Sequence, residues 1–160
     1  MWRVPAVSGV KSMAESQFMS ITQEQLGELL QSSGYRTEHR VDQNGAPLIA
    51  SATAGITFNL RLGNRAAAPL EGFLDFTYIT VIKIEGEFPL RRINEWNQNK
   101  RFARLHRVDD FVILDMDTIV AGGVTERHVR ATLELWDRLI QELMAWLRGA
   151  DVTGGAANAA

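Results

Sequence analysis

The sequence contains no cysteine. Disulfides, zinc-thiolate sites, iron–sulfur clusters and a cysteine nucleophile are therefore excluded. The absence suits a reducing compartment, and a cytoplasmic location is expected. No run approaches 18 uninterrupted apolar residues, so no membrane span is expected. Residues 1–20 hold no apolar stretch of the length a secretory signal needs. The net charge is only −2. A general nucleic-acid binder calls for a basic excess, so nucleic acid is not an expected partner. The three histidines, His39, His106 and His128, stand alone, without an H-x-x-x-H metal spacing. No G-x-S-x-G elbow, no G-x-x-x-x-G-K-[ST] loop and no G-x-G-x-x-G fingerprint occurs. Together these absences predict no cofactor, no resident metal and no catalytic residues.

What is present is an ordinary globular composition. With 160 residues, 46% of them hydrophobic and 22% charged, the chain suits one domain whose core needs no staples. Residues 1–20 lack periodicity and read as a loosely attached tail. Residues 149–160 are rich in Gly and Ala and read as a flexible one. The folded unit is expected over 21–148.

A first helix is predicted from Thr22. Thr22 and Gln25 have capping-box spacing, and Ile21 and Leu26 are placed as a hydrophobic staple. Leu26, Leu29 and Leu30 share a face, and Gly34 ends the helix. The period then changes to two. Tyr35–Gln43 and Ala46–Ala52 flank Asn44-Gly45, read as a two-residue hairpin turn that pairs Val41 with Leu48. Pro47 suggests a free sheet edge. A third strand is predicted over Gly55–Leu62 and a fourth over Leu70–Lys83. A second helix follows at Pro89–Lys100. Then come strands Phe102–Val108 and Phe111–Asp117, with Asp109-Asp110 as their turn. This pairing sets Arg104 opposite Asp115 and Leu105 opposite Leu114. Ala103, Leu105, Val112, Leu114 and Met116 fall on one core face. Thr125 caps a last helix on which Val129, Leu133, Trp136, Ile140, Leu143 and Leu147 repeat at 3.6 residues. The order α-β-β-β-β-α-β-β-α predicts an α+β fold, an antiparallel sheet with helices on one face.

Asp115 and Asp117 point to one face of a strand. Ion pairs with Arg104 and Arg101 explain them, a hard cation or acid–base pair being the alternatives. Gly122 and Gly123 precede a helix, where they serve a turn or, alternatively, an anion. Arg91–Arg107 carries six cations against Glu95, and Asp109–Glu126 carries five acids and no cation. The two runs cancel within a hairpin, or the basic helix face meets an acidic partner or nucleic acid, or a self-complementary dimer contact uses them. Trp96, flanked by Asn94, Asn97 and Asn99, suits either the core or an interface.

The runs Arg91-Arg92-Ile93-Asn94-Glu95-Trp96-Asn97, Arg101-Phe102-Ala103, Val112-Ile113-Leu114-Asp115-Met116-Asp117 and Ala121-Gly122-Gly123-Val124-Thr125, with Leu133-Glu134-Leu135-Trp136, resemble the YbjN family of bacterial proteins, labelled sensory transduction regulators. The resemblance spans about Ile21 to Arg148. It implies a fold similar to type III secretion chaperones and pairing as a homodimer, and it supplies no catalytic residues. The short Gly63–Pro69 loop departs from the acidic, Gly- and Cys-containing stretch of many relatives. The function expected is a non-enzymatic protein-binding module, a homodimer offering sheet edges and apolar grooves to a polypeptide. Its candidate contacts are Arg91, Arg92, Trp96, Asn97 and Arg101. The alternative is a small-molecule or anion sensor using Gly122 and Gly123.

Overall fold

The computed structural model describes residues 15–156, with side chains through Gly149. The elements are β1 (Gln17–Phe18), α1 (Gln23–Ser32), β2 (Glu38–Val41), β3 (Pro47–Thr53), β4 (Ile56–Leu62), β5 (Asp75–Lys83), α2 (Leu90–Asn99), β6 (Arg104–Val108), β7 (Phe111–Ile119), β8 (Val124–Thr125) and α3 (Glu126–Ala156). Six strands form one antiparallel sheet in the order β2-β3-β4-β5-β7-β6, and β1 pairs with β8 in a separate ribbon. The expected α+β class and element order are borne out, with β1 and β8 added.

Local chemistry sets the ends of α1 as expected. The Thr22 hydroxyl accepts the Gln25 amide at 3.1 Å, and the Gln25 side chain accepts the Thr22 amide at 3.0 Å. At the other end Gly34 adopts φ 91°. Its amide donates to Gln31 O at 2.9 Å, and that of Tyr35 donates to Leu30 O at 3.0 Å. This reciprocal pair is the Schellman closure, which favours glycine because a Cβ disfavours positive φ. Ile21 and Leu26 are both fully buried, as a staple requires. On α3, the Thr125 hydroxyl accepts the His128 amide at 3.1 Å, so Thr125 is its cap.

Several boundaries and registers differ from expectation. Asn44-Gly45 does not make a two-residue turn. The Gly45 amide donates to Asp42 O, the Asp42 amide donates to Ala46 O, and Gly45 sits at φ 81°. The result is a three-residue loop with glycine in the left-handed position. The Asp42 carboxylate accepts the amides of Asn44 and Ala46, which stabilises this wider loop. Val41 therefore pairs with Pro47, and Arg40 with Leu48. The two-residue turn falls instead at Ala54-Gly55, both at positive φ. Pro47 does not mark an edge, because β2 covers β3. It occupies the first residue of its strand, another position where a missing amide is tolerated. The fourth strand starts at Asp75 rather than Leu70. The preceding residues form a loop in which Phe73 bridges Ile21 and Arg65. α3 continues to Ala156, past the expected end of the folded unit. Of the expected tails, residues 1–14 and 157–160 lie outside the described residues, and Gln17–Phe18 forms a short strand.

One face of the sheet is the core. Phe58, Leu60, Phe76, Tyr78, Leu105, Val112, Leu114 and Met116 alternate onto it, against Leu26 and Leu30 of α1 and Val129, Leu133, Trp136 and Ile140 of α3. Trp136 stacks on Tyr78 with ring centroids 5.4 Å apart and meets Phe58 edge-on at 6.1 Å. α2 docks on the far part of α3, where Trp146 contacts both Trp96 and Phe88 edge-to-face. The opposite sheet face carries no helix among the described residues.

Candidate functional site

Residues 100–103 carry the chain from α2 into β6, the last strand of the sheet, and they shape a cleft. The side chain of Asn97 anchors this joint. Its Nδ2 donates to Leu105 O at 2.8 Å, and its Oδ1 accepts the Leu105 amide at 2.9 Å. One amide thus takes the place of a neighbouring strand and blunts this sheet edge at Leu105. Trp96, one residue earlier, is 1% exposed, so of its two expected placements the core is the observed one.

Between them the backbone makes a γ-turn. The Ala103 amide donates to Arg101 O at 3.0 Å, and Phe102 at its centre has φ 76°. This turn is rare and strained, and a bulky residue there is an outlier. It leaves Phe102 63% exposed, with the Arg101 guanidinium 4.8 Å from the ring centroid. Strain of this kind persists only where the surroundings over-determine it. The Asn97–Leu105 bonds and the buried Ala103 supply that constraint.

Asn97, Phe102, Ala103, Arg104, Asp115 and Asp117 line a cleft of about 420 Å³. The expected register holds, with Arg104 opposite Asp115 and Leu105 opposite Leu114. Arg104 Nε lies 2.6 Å from Asp115 Oδ1, but that oxygen makes no hydrogen bond, so the contact is an ion pair without an aligned N–H. The other arm of Arg104 reaches Asp117 Oδ2 at 3.1 Å, and Thr77 donates to Asp117 Oδ1 at 2.6 Å. Arg101, the expected partner of Asp117, lies over Phe102 instead, because the γ-turn redirects it. His106 Nδ1 stands 3.6 Å from Asp115 Oδ2.

Asp115 is only 6% exposed although it lies on the face without helices. Burial pushes its carboxyl above the ordinary value of 3.8. Arg104 and His106 pull it back, and Asp117 adds to the rise. A carboxyl with a higher folded than unfolded pKa holds its proton more tightly when folded. Stability therefore falls as pH rises from the unfolded value through the folded one, and is level above it. Asp115→Asn is expected to remove this decline. Glu38, held low by its hydrogen bond from Arg40, and Asp42, held low by the Ala46 and Asn44 amides, slope the other way and do so equally in both proteins. Denaturant unfolding from about pH 3 to 7 measures the difference. Identical profiles would show that Asp115 is not desolvated.

The remaining candidates are spread out. The Arg91 side chain is 84% exposed and 3.6 Å from Glu95. Arg92 lies over the Trp146 ring, 4.6 Å from its centroid, and so helps dock α2. Gly122 and Gly123 have φ 89° and 97°, and the Gly123 amide donates to Val120 O at 3.0 Å. That amide serves the turn into β8. A second cavity, about 270 Å³, is lined by Ser33, Tyr35, Arg130, Leu133 and Glu134. Its Arg130 is engaged with Glu126 and the hydroxyls of Ser32 and Ser33, and thereby ties α1 to α3. Among the described residues, no three His, Asp or Glu side chains group as a metal set, and no helix is long and apolar enough to cross a membrane.

Phe102 has no signal in the sequence as a functional residue: its pattern predicts the start of a strand, whereas β6 begins at Arg104. A charged-aromatic-small run carries no signal for a γ-turn. The turn follows from the Asn97 clamp, which fixes Leu105 three residues later.

The YbjN family, described as "Putative bacterial sensory transduction regulator", matches over residues 22–149. No curated protein and no solved structure matches the chain. A match over most of the sequence, on the segment that carries α1, α2, most of α3 and the six-stranded sheet, settles the relationship: the chain belongs to the YbjN family.

Proposed function

We propose that the chain is a non-enzymatic regulatory protein of the cytoplasm that acts as a homodimer and binds a polypeptide partner along the rim between α2 and β6. The family's description as a regulator supports the non-enzymatic reading. The observation that carries the binding reading is Phe102, a strained aromatic held out to solvent in the lining of a cleft that also holds Arg104, Asp115 and Asp117. Aromatic anchors beside charged groups dominate binding energy at protein interfaces. Arg101 and Arg91 extend the rim as cations for an acidic stretch of the partner. Trp96, Asn97 and Arg92 act indirectly, by holding α2 in place.

A photo-crosslinking residue at position 102 tests this reading in living cells, with one at exposed Leu90 as control. A discrete polypeptide crosslinked from 102 and not from 90 is expected. Against that polypeptide, Phe102→Ala should weaken affinity roughly 30-fold, the effect of losing about 2 kcal/mol at an aromatic anchor. The folded stability should change by less than about 1 kcal/mol, since the ring is exposed. Equal crosslinking from both positions, or none from 102, would remove this rim from consideration.

A further inference from the structure

The sheet face opposite the helices has a charge arrangement that fits itself. Strand registers align Glu38, Ala50, Asn59, Ile79, Asp115 and Arg104 in one row across β2-β3-β4-β5-β7-β6. The adjacent row runs Arg40, Leu48, Arg61, Thr77 and Asp117. The first row has Glu38 at its β2 end and, at the other, Arg104 beside its partner Asp115. The second is basic towards β2, with Arg40 and Arg61, and acidic at β7. The outermost charged residues of each row are therefore opposite in sign. On the other side of the first row the face is mostly apolar, with His106 and Lys83 at its β6 and β5 positions. Val81, Val108 and Phe111 are exposed there, 51% in the case of Val81. Large Ile113 stands on the β7 side, and small Ala52 and Thr57 pair on the β3–β4 side.

We infer that a second copy of this chain covers this face, about a two-fold axis that lies in the interface and runs along the strands between β4 and β5. This rests on the homodimer reading above and names its surface. Such an axis lays each row on its own counterpart, end over end. Glu38 then faces Arg104 of the second copy, and Asp117 faces the gap between that copy's Arg40 and Arg61. Val81 meets Thr57, and Ile113 meets Ala52, so large side chains oppose small ones. A face of single sign could not pair this way. Sheets stacked face to face align within about 30°, which keeps the rows in register near the axis. The six strands offer roughly 650 Å² of flat sheet, at about 3.3 Å per residue and 4.8 Å between strands. That is close to the ~800 Å² per partner of a stable interface. The second copy's β2 also forms an outer wall to the cleft at Arg104 and Asp117, so the polypeptide site is completed across the dimer.

Sedimentation velocity of the full chain over a concentration series is the test. The wild type should dimerise. Val81→Lys places two charges beside the axis and should raise the dimer dissociation constant at least about 100-fold. Glu38→Arg, at an exposed position, should raise it at least about tenfold by setting like charges against Arg104. Leu90→Lys on α2 should leave it unchanged, and circular dichroism should show all three variants folded. A monomeric wild type would overturn the homodimer reading and this surface together. A dimer insensitive to both Val81→Lys and Glu38→Arg would overturn the surface and leave the homodimer standing. A dimer broken by Leu90→Lys would move the interface to α2.

Discussion

Trp96→Ala is expected to lower the free energy of unfolding by about 3–5 kcal/mol, the range for removing a buried indole. The ring is 1% exposed and meets Trp146 edge-to-face with centroids 5.4 Å apart. Lys100 Nζ lies 5.5 Å from its centroid, and the same ammonium pairs with Glu142 of α3 at 2.8 Å. Truncation therefore leaves a cavity at the seam between α2 and α3 and loosens the helix that carries Asn97. The Trp96 indole N–H has no hydrogen-bond partner. Trp96→Phe thus forfeits volume but no hydrogen bond, and should cost less than about 2 kcal/mol. Denaturant titration distinguishes the two through their midpoints, at unchanged slope if folding stays two-state. A loss under about 1 kcal/mol for Trp96→Ala would mean that α2 is not held by this ring. The result bears on function, because lost binding in a Trp96 variant would report a displaced helix. Phe102 is the better probe of contact, since its ring supports nothing beneath it.

Gly72→Ala should be nearly as damaging, at roughly 2–4 kcal/mol from left-handed strain and steric overlap together. Gly72 has φ 87°, and a Cβ there would lie 2.5 Å from Ile21 O and 2.7 Å from Ile21 C. Those are backbone atoms and cannot swing aside. Ile21 exchanges two hydrogen bonds with Phe73, both 2.9 Å, and so pins the start of α1 to the loop entering β5. Gly55→Ala is the matched control. Its φ is 78°, and nothing lies within 4 Å of the added carbon, so only the conformational cost remains, about 1–2 kcal/mol. Thermal unfolding should show Gly72→Ala lower by about 4–16 °C against wild type, with Gly55→Ala between them. Equal losses in the two variants would show that the Ile21–Phe73 bridge yields to the methyl group.

Elements governed by neighbours within about four residues were legible in the sequence. The Thr22–Gln25 capping box, the Ile21–Leu26 staple, the Gly34 stop and the Thr125 cap all occur where spacing placed them. So does the core face of β6 and β7, because a two-residue turn at Asp109-Asp110 leaves a single register that buries Leu105, Val112, Leu114 and Met116 together. The Asn44-Gly45 reading failed for a local reason as well. The Asp42 carboxylate caps two amides, and this favours a loop one residue longer than the dipeptide alone suggests. The family was legible too, since its signature lies in consecutive residues.

The site was not legible, for a different reason. The sequence by itself determined the class of fold, the helix ends and which side of each strand is apolar, because these depend on periodicity and on hydrogen bonds between near neighbours. Only the tertiary structure decided that β7 rather than β6 lies beside β5, that Trp96 faces inward, that Asn97 clamps Leu105, and that Phe102 is thrust outward by a γ-turn. It alone aligned Glu38 and Arg104 at opposite ends of one row. These outcomes depend on contacts between segments tens of residues apart, where packing and desolvation outweigh any local preference.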